Sequence, residues 1–197
     1  MALKNLLPRF LHLIQSTAEW IRAFEKGIAS RTGSLECWLV TGDVVAFYTN
    51  IDTGTVDRSM EALLSGSCVP IKRAIAIAQL VKMTMHNNFF AVNDGLYRQT
   101  NGLAMGSPCS GTIANLVIAC RERACIKCTG ILSYVRYIND IFALLEARSI
   151  TEVRHILQEL SDSVAPLQIK WNMSKRHAIY LDVEVEMTPL LSSGRIL

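Results

Sequence analysis

The sequence predicts an α+β fold in which a mostly antiparallel sheet packs against helices. Three observations carry that prediction. Strand-like apolar runs are separated by tight-turn signals, so neighbouring strands join as hairpins. Segments with helical spacing alternate with them, but without the regular strand–helix–strand units of a parallel sheet. The composition, 50% apolar and 19% charged over 197 residues, is that of one globular unit with a sizeable core.

Along the chain, Leu6 to Lys26 is predicted as a helix, with Leu7, Phe10, Leu11, Ile14, Ala18, Ile21 and Phe24 near helical spacing. Leu35 to Val45 is strand-like, running through Cys37-Trp38-Leu39-Val40 and Gly42 to Asp43. Thr55 to Leu64 and Pro70 to His86 are predicted helices, the second opened by Pro70 in its first turn. Phe89-Phe90-Ala91-Val92 and Leu96-Tyr97-Arg98-Gln99 flank Asn93-Asp94-Gly95, a strong hairpin signal. A Gly-containing loop, Gly102 to Ser110, feeds a helix from about Gly111 to Ile126. A second hairpin joins Ile131–Arg136 to Ile141–Leu145, and a helix spans about Ile150 to Val164. Two further strand-like runs, Leu167 to Trp171 and Ala178 to Glu186, complete the pattern. Trp38, Phe47, Phe89, Phe90, Leu116, Ile141 and Phe142 are the predicted core centre.

A net charge of +3 permits nucleic-acid binding without arguing for it. No apolar run reaches the roughly 18 residues of a membrane span, so no membrane partner is expected. Met1 to Phe10 holds no signal-peptide core. Six cysteines in a chain this long do not make a disulfide framework. Cys125 and Cys128 form a C-x-x-C, with Cys120 nearby, and are expected as reduced thiols near a helix end. A metal or redox role would require them to converge with further ligands. The expected setting is an intracellular, reducing compartment.

Three segments carry candidate chemistry. Asp43 closes a buried strand, with Phe47 and Tyr48 following; alone, it reads as a strand-end cap or a metal ligand. In Asn101 to Ser110, Gly102 and Gly106 allow close backbone approach to a ligand, and the loop ends at a helix start, where free N–H groups favour phosphate. An ordinary helix-entry loop reads the same way. Tyr137-Ile138-Asn139-Asp140 is either a surface turn or an acidic hairpin tip presenting oxygen ligands to a hard cation.

Taken in order, these segments resemble reverse transcriptase palm motifs A, B and C: Asp43 with Tyr48, then Gln99 through Asn115, then Tyr134 through Asp140. The nearest flavour is the Penelope-like group, in which a late strand like Tyr180-Leu181-Asp182-Val183 often follows. The resemblance spans roughly Leu35 to Glu186, and its middle motif is the most specific. It implies a polymerase palm at 35–197, preceded by an N-terminal helical segment at 1–34, with fingers abbreviated and thumb essentially absent.

The implied reaction is nucleotidyl transfer from a dNTP to a primer terminus on an RNA template, with two Mg²⁺ ions, or Mn²⁺ in their place. Asp43 and Asp140 match metal-binding positions, and Asn139 with Asp140 the motif C pair. Tyr48, next to Phe47, matches the aromatic that excludes a ribose 2′-hydroxyl. Met105, Gly106 and Ser107 match the loop beside the incoming nucleotide. Lys175 matches a lysine that protonates pyrophosphate. The implied partners are RNA template and primer, and a larger protein or ribonucleoprotein assembly supplying fingers or thumb. Asn139 stands where the family carries an aspartate, and it replaces a carboxylate with a neutral amide. The alternative is a catalytically inactive palm scaffold that binds RNA or a protein/RNA assembly.

Overall fold

A computed structural model describes residues 10–31, 33, 35–65, 69–187 and 194–196. Its elements are α1 (Thr17–Ala29), β1 (Glu36–Val44), α2 (Thr53–Ser65), α3 (Ile71–His86), β2 (Phe89–Val92) and β3 (Gly95–Arg98). They continue with α4 (Ser110–Cys125), β4 (Ile131–Tyr137), β5 (Asp140–Ala147), α5 (Ile150–Val164), β6 (Ile169–Ser174), β7 (His177–Tyr180), β8 (Val183–Met187) and β9 (Gly194–Ile196). The chain divides into two compact units. One is built on Ala46–Arg121; the other combines Leu11–Val45 with Glu122–Leu197.

The second unit holds a four-stranded sheet in the order β4-β5-β1-β6, antiparallel at every pairing. Alternation along the strands divides its side chains between two faces. On one face Leu39, Val135, Phe142 and Leu144 join Trp20 and Phe24 of α1 and Ala178, Tyr180 and Val185 of β7 and β8. The Trp20 ring meets Phe142 edge-on at 5.3 Å. Phe142 is fully buried, a burial that contributes roughly 1.5–3 kcal/mol. The intervening residues Ile141, Ala143 and Leu145 are also fully buried, and α5 packs on β5 with Val153, Leu157 and Leu160 turned inward.

The antiparallel sheet and its helices follow the expectation, and α5 has the predicted bounds. The first helix does not. It begins at Thr17, because Ser16 is extended at φ −154° and its side chain accepts the Glu19 N–H, while Glu19 accepts the Gln15 N–H in return. That is a capping arrangement. Leu13 instead forms a parallel bridge with Arg136, and Leu6 to Arg9 lie outside the described residues. Pro70 is the cap of α3 and not part of its first turn. The expected strand from Ala178 to Glu186 is two strands: the chain reverses at Leu181, φ +53°, so that Tyr180 pairs with Val183.

In the first unit α2 packs on α3. Val56, Met60 and Leu63 are buried on one helix, and Ala74, Ile77 and Val81 on the other. Asp52 caps α2 by accepting the Thr55 N–H at 2.9 Å and its hydroxyl at 2.6 Å. The β2–β3 hairpin forms as predicted, but Phe89 and Phe90 are 57% and 48% exposed and do not belong to the core. The reason is topological: β2 and β3 form a sheet of their own, and a two-stranded ribbon has no third strand or covering layer to bury both faces.

Candidate active site

The site is built on the ends of two adjacent strands. Asp43 is the second-last residue of β1 and Asp140 the first of β5, and the two are direct partners in the ladder. Their registers match those of Leu39 with Leu144 and Thr41 with Phe142, so period-2 alternation puts both carboxylates on the sheet face that carries Phe142 and Leu144. Gly42 leaves room for the Trp171 ring across the ladder: a Cβ there would meet the indole at 2.5 Å.

The turn between β4 and β5 has only Ile138 and Asn139 as loop residues, because Tyr137 pairs with Asp140. Ile138 has φ +57°. A positive φ at this position suits the twist of a two-residue hairpin and usually falls to Gly, Asn or Asp. A β-branched residue there is strained. The Asn139 amide Nδ2 donates to Asp43 Oδ1 at 2.7 Å, and the Asn139 carbonyl accepts the Val44 N–H at 3.0 Å. Burial, and after it the charge of Asp43, raise the Asp140 carboxyl above its ordinary value. Asp43 itself is exposed. Among the described residues no group of three or more His, Cys, Asp or Glu gathers as a metal cage; the tip offers two carboxylates and one amide.

Of the remaining sequence candidates, Lys175 shares the second unit with this tip, and Phe47, Tyr48 and Met105 to Ser107 belong to the first unit. Lys175 Nζ pairs with Glu36 Oε1 at 2.7 Å and sits 4.6 Å over the Trp38 ring. Glu36 is seven residues up β1 from Asp43, roughly 23 Å at strand rise, so Lys175 is not brought to the two carboxylates. Phe47 is buried and meets Tyr48 edge-on at 5.1 Å. The Tyr48 carbonyl accepts the Leu103 N–H at 2.7 Å. Gly102 uses its freedom against protein, at φ +77° with a would-be Cβ 2.7 Å from the Thr49 carbonyl oxygen. Met105 is 77% exposed, Gly106 has φ +96° with open space around it, and the Ser107 N–H donates to Ala104 O. Cys125 ends α4 and its thiol reaches Glu159 O at 3.8 Å. The described cysteines Cys37, Cys109, Cys120, Cys125 and Cys128 form no disulfide.

Sequence reasoning missed Glu122, Arg136 and Tyr180. Arg136 Nη1 donates to Ile138 O at 2.7 Å and Tyr180 Oη to Asp140 O at 3.0 Å. The signal for Arg136 was a charged residue inside a strand-like apolar run, whereas Glu122, flanked by Arg121 and Arg123, carried no such signal.

Comparison with known proteins places this geometry. A family profile described as reverse transcriptase (RNA-dependent DNA polymerase) matches residues 2–189. A search of curated protein sequences finds no match. Among solved structures, telomerase from Candida albicans in complex with a fragment of telomeric RNA superposes with TM-score 0.74 at 14% identity, over 95% of this chain and 37% of that one. A C-terminally truncated apo telomerase from Candida tropicalis gives 0.70 at 10% identity, over 98% and 44%. The RNA-dependent RNA polymerase of a human picobirnavirus gives 0.67 at 14%, over 94% and 35%. The chain thus spans less than half the length of each of these structures, and what they share with it is the polymerase palm fold. With nearly its whole length matched by the family profile, the chain belongs to the reverse transcriptase (RNA-dependent DNA polymerase) family.

Proposed function

We propose that this chain is the palm of an RNA-directed DNA polymerase, extending a primer on an RNA template by nucleotidyl transfer from a dNTP. The observation that carries this reading is the direct opposition of Asp43 and Asp140 across the β1–β5 ladder. Two carboxylates on one face at a strand end are a costly arrangement without a counter-charge; at Asp140 burial first, and the Asp43 charge second, disfavour the ionised form. Hard carboxylate oxygens of this kind fit Mg²⁺ or Mn²⁺. A divalent cation held there supplies positive charge to the primer 3′-hydroxyl and the triphosphate.

Asp43 and Asp140 would be its protein ligands, and Asn139 would contribute its carbonyl oxygen once the amide turns away from Asp43. Tyr48 is assigned, by its place five residues after Asp43, to excluding a ribose 2′-hydroxyl, and Met105 to Ser107 to the nucleotide side. Residues 35–197 are assigned to the palm and 1–34 to a segment ahead of it. RNA template and primer are the proposed partners, together with a protein or ribonucleoprotein assembly; the Candida albicans telomerase structure includes an RNA fragment.

One observation favours a second reading. The 2.7 Å hydrogen bond from Asn139 to Asp43 places an amide proton on an oxygen that a cation would otherwise take, and it stabilises the tip without metal. That is what a catalytically silent palm scaffold binding RNA or a protein/RNA assembly would need.

Primer extension on a homopolymer RNA template with Mg²⁺ or Mn²⁺ separates the two. Extension by the wild type that vanishes in Asp43→Ala supports the polymerase. A silent wild type with extension restored by Asn139→Asp assigns the silence to one missing carboxylate. No extension by any of the three favours the scaffold, or a palm that works only with fingers and thumb supplied by its assembly.

A further inference from the structure

We propose that Arg136 and Tyr180 are positioning residues that fix the backbone of the Ile138–Asp140 tip before any cation or nucleotide arrives, with Glu122 holding Arg136 in place. The proposal rests on the reading above only for what the tip is for. Three consecutive tip carbonyls are each taken by a different element: Ile138 O by Arg136 Nη1 at 2.7 Å, Asn139 O by the Val44 N–H at 3.0 Å, and Asp140 O by Tyr180 Oη at 3.0 Å. Carbonyls of a two-residue hairpin turn ordinarily face water. Here they are anchored from β4, β1 and β7.

Arg136 is fully buried, which a guanidinium tolerates only when its charge and hydrogens are matched. Its Nε donates to both oxygens of Glu122, at 2.9 and 3.1 Å. Glu122 is itself fixed, accepting the Tyr134 hydroxyl at 2.6 Å and standing 3.1 Å from His12 Nε2. The backbone of Arg136 is pinned as well, because its N–H donates to His12 O and its carbonyl accepts the Ile14 N–H. One edge of the guanidinium is therefore locked, and Nη1 is left aimed at Ile138. A lysine has no such fork and cannot serve both partners. Tyr180, 3% exposed, is wedged against Trp20 at 5.2 Å and Phe142 at 5.5 Å, so its hydroxyl has little freedom.

The independent sign of this clamping is Ile138 at φ +57°. A β-branched residue stays in that region only where surrounding contacts over-determine the backbone. The clamp accounts for it, and it sets where Asn139 and Asp140 stand relative to Asp43.

The test uses the full chain, ¹⁵N-labelled, with Tyr180→Phe, which deletes one hydroxyl and keeps the ring packing. Two readouts are taken: hydrogen exchange of the Val44 amide, which reports the Asn139 contact, and Mn²⁺ titration followed by paramagnetic broadening near Asp43 and Asp140. The expected result is Val44 exchange accelerated about tenfold and Mn²⁺ affinity lowered by about tenfold, with the Leu144 amide in the centre of β5 unchanged. Arg136→Lys, where it folds, produces the same pattern and does not rescue.

Wild-type exchange at Val44 in Tyr180→Phe overturns the proposal. So does acceleration spread equally to Leu144, which would make Tyr180 a general core residue. A wild type that shows no Mn²⁺ broadening defeats the cation reading of the site instead, and the Val44 exchange still decides the positioning role.

Discussion

Asn139 reaches across from the β4–β5 turn and donates its amide hydrogen to Asp43 at 2.7 Å, so the residue that removes a carboxylate from this tip also compensates the one opposite. Aspartate at the same position would place a third negative charge beside Asp43 and Asp140. Asn139→Asp is therefore expected to lower metal-free stability by about 1 kcal/mol, the scale of one hydrogen bond, and to make the protein more stabilised by Mn²⁺ than the wild type is. Thermal melts with and without Mn²⁺ check both; equal Mn²⁺ responses in the two proteins would refute the charge account.

In the second unit, two carboxyls push the pH dependence of stability in opposite directions. Burial raises the Glu122 carboxyl, but Arg136 and the contacts from His12 and Tyr134 outweigh it and hold it at about 2. A depressed carboxyl stabilises the fold above the unfolded value near 4.5 and loses that contribution as pH falls toward 2. Asp140 runs the other way: its raised carboxyl favours the fold at low pH, and that contribution disappears as pH rises through its folded value. Denaturant melts between pH 2 and 7 should show acid destabilisation that is largely absent in Glu122→Gln, a variant itself less stable at neutral pH by roughly 3 kcal/mol.

Gly102→Ala should cost about 2 kcal/mol or more. The substitution meets both a positive φ and a backbone contact, 2.7 Å from the Thr49 carbonyl oxygen, and that backbone cannot swing aside as a side chain would. Gly106→Ala meets only the positive φ in open space and should cost less than half as much. Chemical denaturation of the pair gives the comparison directly.

Two phenylalanines should behave oppositely. Phe142 is fully buried between α1 and β7, and Phe142→Ala should destabilise by about 3–5 kcal/mol. Phe90 is half-exposed and stacked on Tyr97 across the hairpin, with ring centres 5.8 Å apart. Phe90→Ala should cost no more than about 1 kcal/mol. Similar losses at the two positions would mean that Phe90 belongs to a core after all.

Much of the fold was legible locally. Turn chemistry at Asp94-Gly95, the continuous apolar run of β5 and apolar spacing in α5 are properties of a few neighbouring residues, and the elements formed where those properties pointed. The start of α1 was legible too, in Ser16 and Glu19, but apolar spacing before it masked the cap. The order of the three motif segments identified the palm without any contact being known. What the tertiary structure alone decided were relations between residues far apart in sequence. Asp43 meets Asp140 only because β1 and β5 pair in one particular register. Lys175 is drawn to Glu36 at the other end of β1. Phe89 and Phe90 stay exposed because their hairpin joins no larger sheet. Glu122 and Arg136, 14 residues apart, become a single buried ion pair. Periodicity records which side of its own element a residue occupies; strand register and layer packing, which depend on the whole chain closing on itself, decide which residue it faces there.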